Sequence, residues 1–455
     1  MIADRRALLR ERLASAGLRG TADAEGIPRR ADPAQARLSA AQRHTWRYQR
    51  AHPGSLANNL GLLLTFTGTV DADAVAAALA RVAARHDILR TTYHVGADGQ
   101  PFQRVHDALP FPVTIARADA DEAWALAQSA VRTPFDLESD APLRLALFRT
   151  APDQVVAALV VHHILWDGAT FDVLSKELER AYATPAPALP ELPLQYGDVA
   201  EWEHGRRERI TARDLEYWTR RLAPPRPRQT LPLGRGDAGA PVEAGGRVDR
   251  RLTASAALLH LAARNRVTPF VAFIACWAAV LGQNGADEVT IGTTVLTRDR
   301  PGTETLIGNL ANHIVLRLPV GPSPASTTLV AAAAAEFDTA FNHRHLPYED
   351  VAEALGGQDL RAPPHLFDTL VVFIPGGTAG PRLPGAQTRW RRLHNDAAQF
   401  PLVPLGLEAF VHGRGGETTI DVEATFARTA FDAETVRTLL LRLDETIHEA
   451  AREAW

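Results

Sequence analysis

The chain carries a single cysteine, Cys276, among 455 residues, which excludes an internal disulfide and any cysteine-rich metal site. Cys276 falls in an apolar, helical-looking run from Pro269 to Gln283, so it reads as a small buried hydrophobe rather than a reactive thiol. No apolar stretch reaches the ~20 residues needed to cross a bilayer. Met1 to Arg30 is charged, helix-prone at its start, and lacks the apolar core of a signal peptide. A formal net charge of −4 gives no bulk electrostatic reason to bind nucleic acid. These absences predict a cytoplasmic protein with neither membrane nor nucleic acid as partner. What is present is ordinary for a globular chain: 46% hydrophobic and 22% charged residues. The length exceeds one ordinary core, so two lobes are expected.

One stretch stands out, Val160-Val161-His162-His163-Ile164-Leu165-Trp166-Asp167-Gly168. A β-branched apolar run from Val155 ends in two histidines, an acid and a glycine. The following segment, Ala169 to Ala183, has helical periodicity, with Phe171, Leu174, Leu178 and Tyr182 on one face. Adjacent histidines on a strand point to opposite faces and cannot share one job. A strand that ends in a tight loop before a helix is suited to presenting an imidazole. Asp167 is close enough to bend back on that loop, and Gly168 gives it freedom or closeness of approach.

The pattern His-His-x-x-x-Asp-Gly resembles the signature of nonribosomal peptide synthetase condensation domains and related acyltransferases. Other segments resemble the same family in the same order: Leu38 to Trp46, Arg85 to Tyr93, Tyr196 to Trp202, and Ile291 to Arg298. Ile307-Gly308-Asn309-Leu310-Ala311-Asn312-His313, His343 to Glu349 and, more faintly, Pro364 to Phe367 follow. His44, His313, Pro363-Pro364-His365 and Ile374-Pro375 replace the residues usual in the family, and they bear on substrate choice more than on the core reaction.

The resemblance implies an α/β fold: a two-lobed pseudo-dimer of chloramphenicol-acetyltransferase-like sandwiches, with the active site in a tunnel between the lobes. It implies amide-bond formation between an acyl or peptidyl thioester on one carrier protein and an amino acceptor. The partners are then donor and acceptor peptidyl carrier proteins and their small aminoacyl or peptidyl substrates. The chain itself is expected to be a monomer that binds no cofactor or metal. Its substrates ride on the 4'-phosphopantetheine of the carriers. His163 is the implied catalytic imidazole, either a general base or a positioning group. His162 is implied to be structural, as is Asp167, paired with Arg298. Gly168 leaves room for the acyl group and offers its N–H, or is a plain turn glycine. Trp166, Thr170 and Asn312 are candidates for the substrate channel. For Trp166 packing is the competing role, and for Asn312 a strand-edge role.

Alternatives within the fold are an ester-forming or free-acceptor enzyme and a coenzyme-A-dependent acyltransferase. Cyclising relatives carry aspartates where both histidines stand. An epimerase motif is only superficially matched at Phe410 to Arg414. A non-catalytic module that recruits other enzymes to a carrier is the alternative from a different class. The chain is expected to be free-standing or one domain of a larger synthetase.

Along the chain, residues 1–37 read as an amphipathic helix, Ala3 to Ala16, and a linker. That helix is either a docking element or packed on its own lobe. Residues 38–222 form the first lobe, with strands at Gly61 to Val70, Leu143 to Arg149 and Val155 to His162. A helix at Ala72 to His86 and a hairpin joining Arg90–Val95 to Phe102–Val105 belong to it. An arginine-rich bridge from Arg206 to Arg228 is a carrier-facing or plainly solvated surface. Residues 223–245 are a linker and 246–455 the second lobe. Its strands are expected at Arg247 to Leu252, Glu288 to Thr294, Ile314 to Leu318, Phe367 to Phe373 and Ile420 to Phe426, before a closing helix, Ala433 to Ala450.

Overall fold

The computed structural model describes residues 26–452, apart from 184–188, 225–230, 232–235, 238, 242–243, 284, 321–325, 357–365, 368, 375–379, 396–402 and 414–416. The N-terminal helix expected at Ala3 to Ala16, the Pro363-Pro364-His365 segment and Pro375 lie outside the described residues. So do Arg226 and Arg228 of the arginine-rich bridge.

Two mixed sheets organise the chain. The first has five strands in the order Ala386–Leu393, Asn59–Gly68, Gln154–His162, Leu143–Ala151 and Val113–Arg117. The second has six: Ala311–Pro319, Glu288–Leu296, Thr369–Ile374, Leu405–His412, Thr419–Ala427 and Gly245–Arg251. The hairpin of Thr91–Val95 with Pro101–Val105 adds a short third sheet, joined by Gln35–Arg37. Each large sheet carries helices and its own apolar core. Helices Ala72–Arg85 and Thr170–Tyr182 pack together over the first sheet, burying Val75, Leu79 and Val82 against Leu174 and Leu178. Val155, Leu159 and Val161 of the central strand belong to that core.

Over the second sheet lies Pro269–Gly282, apolar on every side and therefore buried on every side. Its Trp277 is fully buried and still finds a partner, because its indole N–H donates to Thr369 Oγ1 at 3.0 Å. Cys276 is buried in the same helix, and burial pushes its thiol up to about 12, which leaves it inert. No single helix among the described residues is long and apolar enough to cross a membrane.

Two elements depart from the sequence division. The arginine-rich bridge, as far as Arg221, is the latter part of one helix of 26 residues, Tyr196–Arg221. Its first residue is buried in the first core, while Trp218 and Leu222 are buried in the second, so it straps the two together. Arg221 grips Glu336 in a fork at 2.9 and 3.0 Å, and Arg206 stacks over Trp202 at 4.6 Å, so neither arginine is simply solvated. The strand Ala386–Leu393, inside the stretch read as second lobe, instead extends the first sheet by pairing antiparallel with Asn59–Gly68. Gly61 permits the approach: a Cβ there would sit 2.6 Å from the Cβ of Leu393, its partner across the pair.

Candidate active site

The strand Gln154–His162 ends at the two histidines, and the turn that follows separates their fates. At His163 the chain enters a single 3-10 turn, with the His163 amide donating to the Asn58 carbonyl at 2.8 Å. His162 is fully buried. Its Nδ1 accepts the Ile164 amide at 3.2 Å and caps the turn, while the ring stands edge-on to Phe135 at 5.8 Å. Burial, with lesser help from His163 and Arg144, pushes its pKa down to about 3, so this ring stays neutral.

His163 turns the other way, onto a cavity of about 280 Å³ lined from both sheets. Asn309 Nδ2 lies 3.5 Å from its Nδ1 and 3.4 Å from its backbone oxygen. Nε2 makes no hydrogen bond among the described residues and is the nitrogen left for a ligand. Burial lowers the pKa of His163; its own backbone carbonyl, Asp167 and Glu408 push weakly back, and Arg392 adds to the lowering. A neutral imidazole at pH 7 is the form able to accept a proton.

Asp167 and Arg298, 131 residues apart in sequence, form a forked pair: Nε to Oδ2 at 3.0 Å and Nη2 to Oδ1 at 2.9 Å. Asp167 is buried, and its carboxylate also accepts from the amides of Ala169, Thr170 and Leu310 at 3.0, 2.9 and 2.9 Å. Arg298 donates onward to the carbonyls of Thr303, Leu306 and Gly308 at 2.9, 2.7 and 2.9 Å. Every charged atom of the pair is thus matched, the condition under which a buried ion pair holds its place. The loop after His163 is pinned to the loop entering Ala311–Pro319 of the second sheet.

The remaining candidates separate. Gly168 lies on the cavity wall, and a Cβ built on it meets nothing within 4 Å, so no close protein contact requires glycine there. Trp166 reaches the cavity and also packs on Phe171 at 6.5 Å. Thr170, expected on the channel, is fully buried beneath it. Its hydroxyl donates to Asp167 Oδ1 at 3.0 Å or the Gly308 carbonyl at 3.1 Å, so it belongs to the pinned pair. Asn312 borders the cavity, but its amide is spent on backbone: Nδ2 donates to the carbonyls of Arg344 and Leu346 at 2.7 Å each. Its Oδ1 accepts the amides of His313 and Tyr348 at 2.8 and 3.0 Å. Asn312 therefore anchors the loop through His343 and Pro347, the strand-edge role.

Sequence reasoning passed over Asn309 and the pair formed by Arg392 and Glu408. The Gly308 backbone at φ 156° brings Asn309 to the histidine, and a Cβ on Gly308 would sit 2.1 Å from the Tyr196 ring. Tyr196 in turn donates its hydroxyl to the Asn309 carbonyl at 2.7 Å and meets Ser39 Oγ at 2.8 Å. Arg392, on the strand that crosses to the first sheet, grips Glu408 of the second through both carboxylate oxygens, and both residues line the cavity. The Gly before Asn309 was a usable signal; nothing in the sequence linked Arg392 to Glu408.

Comparison with known proteins adds the following. The Condensation domain family matches residues 34–454. Phosphinothricin tripeptide synthetase PhsC of Streptomyces viridochromogenes is 32% identical over 87% of this chain and 38% of its own length. Chondramide synthase cmdD of Chondromyces crocatus is 32% identical over 70% of this chain and 8% of its own. This chain therefore spans well under half the length of either relative. Among solved structures, the X-domain from teicoplanin biosynthesis superposes with a TM-score of 0.83 at 27% identity, covering 94% of this chain and 97% of that one. The condensation domain from Monacolin K polyketide synthase MokA shares the fold, with a TM-score of 0.80 at 20% identity over 92% of this chain and 98% of its own.

Proposed function

This chain belongs to the condensation-domain family, and from that premise we propose that it joins a carrier-bound acyl or peptidyl thioester to an amino acceptor through an amide bond. The observation that carries this reading is His163, an imidazole with a lowered pKa whose Nε2 is open to a cavity between two sheets. The acceptor amine attacks the thioester carbon, and a C–N bond forms as the C–S bond breaks. The proton leaves nitrogen for His163 Nε2 and passes on to the departing pantetheine thiolate. Holding two tethered substrates in line supplies the larger share of the rate, up to ~7–11 kcal/mol in favourable cases. The Asp167–Arg298 pair acts indirectly, by fixing the loop that carries the histidine. Donor and acceptor carrier proteins, each bearing 4'-phosphopantetheine, are the partners of this reading, and the cytoplasm is where it operates. Residues 38–222 and 246–455 remain the proposed lobes, with the strand Ala386–Leu393 lent from the second to the first.

The test is reconstitution with a carrier loaded with an aminoacyl thioester and a panel of amine and alcohol acceptors, free and carrier-bound. Products are read by intact-protein mass spectrometry. Wild type is expected to form amides, and His163→Ala to slow transfer about 10²-fold. Transfer unchanged in the variant would remove His163 from the chemistry. No transfer by folded wild type with any acceptor would favour a recruiting module instead.

Gly168→Ala tests the space beside the histidine. Because nothing lies near the added methyl, stability should stay within the ~0.5 kcal/mol of an inert substitution. Transfer should fall, and fall further as the donor acyl group grows. Equal rates for small and large donors would show that Gly168 does not border the acyl group.

A further inference from the structure

Resting on that reading of the reaction, we propose that His313 is a second substrate-contacting residue, its Nε2 donating a hydrogen bond to the thioester carbonyl oxygen across the cavity from His163. His313 lies on Ala311–Pro319 directly opposite Thr294 of Glu288–Leu296, so the two side chains share one face of the second sheet. Both line the cavity that His163 enters from the first sheet. Thr294 Oγ1 is 3.2 Å from His313 Nδ1, and the ring stands edge-on to Tyr348 at 6.0 Å, which fixes its orientation. Nε2 makes no hydrogen bond among the described residues. An imidazole tethered by one nitrogen and left open at the other, on the wall of a binding cavity, is poised for a ligand.

The protonation state suits a donor rather than an acid. Burial, and then the repulsion of His163, push His313 down to about 4. It is therefore neutral throughout the working range. In the tautomer in which the Thr294 hydroxyl donates to Nδ1, the single ring hydrogen sits on Nε2. As the amine attacks from the His163 side, negative charge grows on the carbonyl oxygen. A neutral donor on the opposite wall stabilises that charge without competing for the proton that His163 takes. A cation there would lower the basicity of His163 further. No proton is exchanged at His313: nitrogen gives its proton to His163, sulfur leaves with the C–S electron pair, and His313 only donates a hydrogen bond. Sequence alone marked this position as a departure from the family motif and assigned it to substrate choice rather than to the core reaction.

The experiment compares wild type, His313→Phe and His313→Gln in carrier-to-acceptor transfer, together with their melting temperatures. Phenylalanine keeps a ring but no donor, and is expected to lower kcat about 10²-fold. Glutamine keeps an N–H and is expected to recover most of that loss. Equal rates in all three proteins, or equal losses in both variants accompanied by a lowered melting temperature, would overturn the role. A second readout does not depend on turnover. In histidine labelled with nitrogen-15, the ring signals are followed as a ketone analogue of an acyl-pantetheine, which cannot be cleaved, is added to wild type. The His313 Nε2–H signal should move on binding. Movement at His163 alone would overturn the role of His313 and leave the condensation reading intact. No movement at either ring with millimolar analogue would overturn both.

Discussion

Replacing Arg298 with methionine is expected to cost the fold about 3–5 kcal/mol, because it strands a buried carboxylate. Asp167 is 3% exposed and would keep three amide donors while losing both guanidinium contacts. Three backbone carbonyls, those of Thr303, Leu306 and Gly308, would lose the guanidinium as a donor at the same time. Arg298→Lys should fall between wild type and methionine, since an ammonium restores the charge but not the fork. Thr170→Val, which removes one hydroxyl from the cluster, should cost about 1–2 kcal/mol. Urea unfolding followed by tryptophan fluorescence measures all three. The order Met, Lys, Val from largest to smallest loss is the expected result. An Arg298→Met midpoint equal to wild type would mean that the pair is incidental to the fold. Transfer should decline in step with stability in these variants, and recover for the lysine variant at lower temperature, because Arg298 does not itself line the cavity.

Much of the frame was legible because it is written in local periodicity. The β-branched run into His162, the stripe of Phe171, Leu174 and Leu178, and the hairpin at Gly96 to Gln100 declare themselves within a few residues of chain. The contact between Asp167 and Arg298 is different in kind: it followed from likeness to a family, since 131 intervening residues carry no local signal. The strand Ala386–Leu393 escaped notice because Arg389, Trp390, Arg391 and Arg392 present no apolar face. Arg391 stacks over Trp124 at 4.2 Å, and Arg392 pairs inward with Glu408. A strand held by guanidinium contacts does not register as hydrophobic alternation. Thr170 and Asn312 show the same limit at the site. Both residue types suit a channel wall, and only the positions of the Gly308, Arg344 and Leu346 carbonyls decide that both serve as fasteners. Asn309, three residues before Asn312, takes the place beside His163 because the Gly308 backbone turns there.

Stability should fall gently from about pH 6.5 to 4.5 and steeply below that range, losing about 5 kcal/mol more by pH 3. Three buried histidines drive the collapse: His162 and His394 held down to about 3, and His313 to about 4, each chiefly by burial. In the unfolded chain they titrate near 6.5. Below that pH the unfolded state binds more protons, so the stability they contribute at neutral pH is lost as pH falls toward their folded values. Each costs about 1.4 kcal/mol per pH unit. Three carboxyls work in the opposite sense. Glu203 and Glu349, where the cavity meets the helix Tyr196–Arg221, and Glu423, beside Glu408, are pushed up to about 7, again chiefly by burial. Their contribution is complete below about 4.5 and is lost as pH rises through 7. Between those limits these two sets nearly cancel, so the gentle fall comes from His163 and His86, which burial also lowers; below about 4.5 the histidines act unopposed by those carboxyls. Asp299, held near 2 against the pull of burial by His345 and Arg344, adds to the acid loss below its unfolded value. Urea midpoints measured from pH 3 to 8 test this directly. Glu423→Gln removes one opposing group, so the rise of stability with pH between about 4.5 and 6.5 should steepen by about 1.4 kcal/mol per unit. A wild-type curve that falls as steeply above pH 4.5 as below it would show that the carboxyls are ionised in the fold. One that stays level down to pH 3 would show that the histidines accept protons without unfolding it.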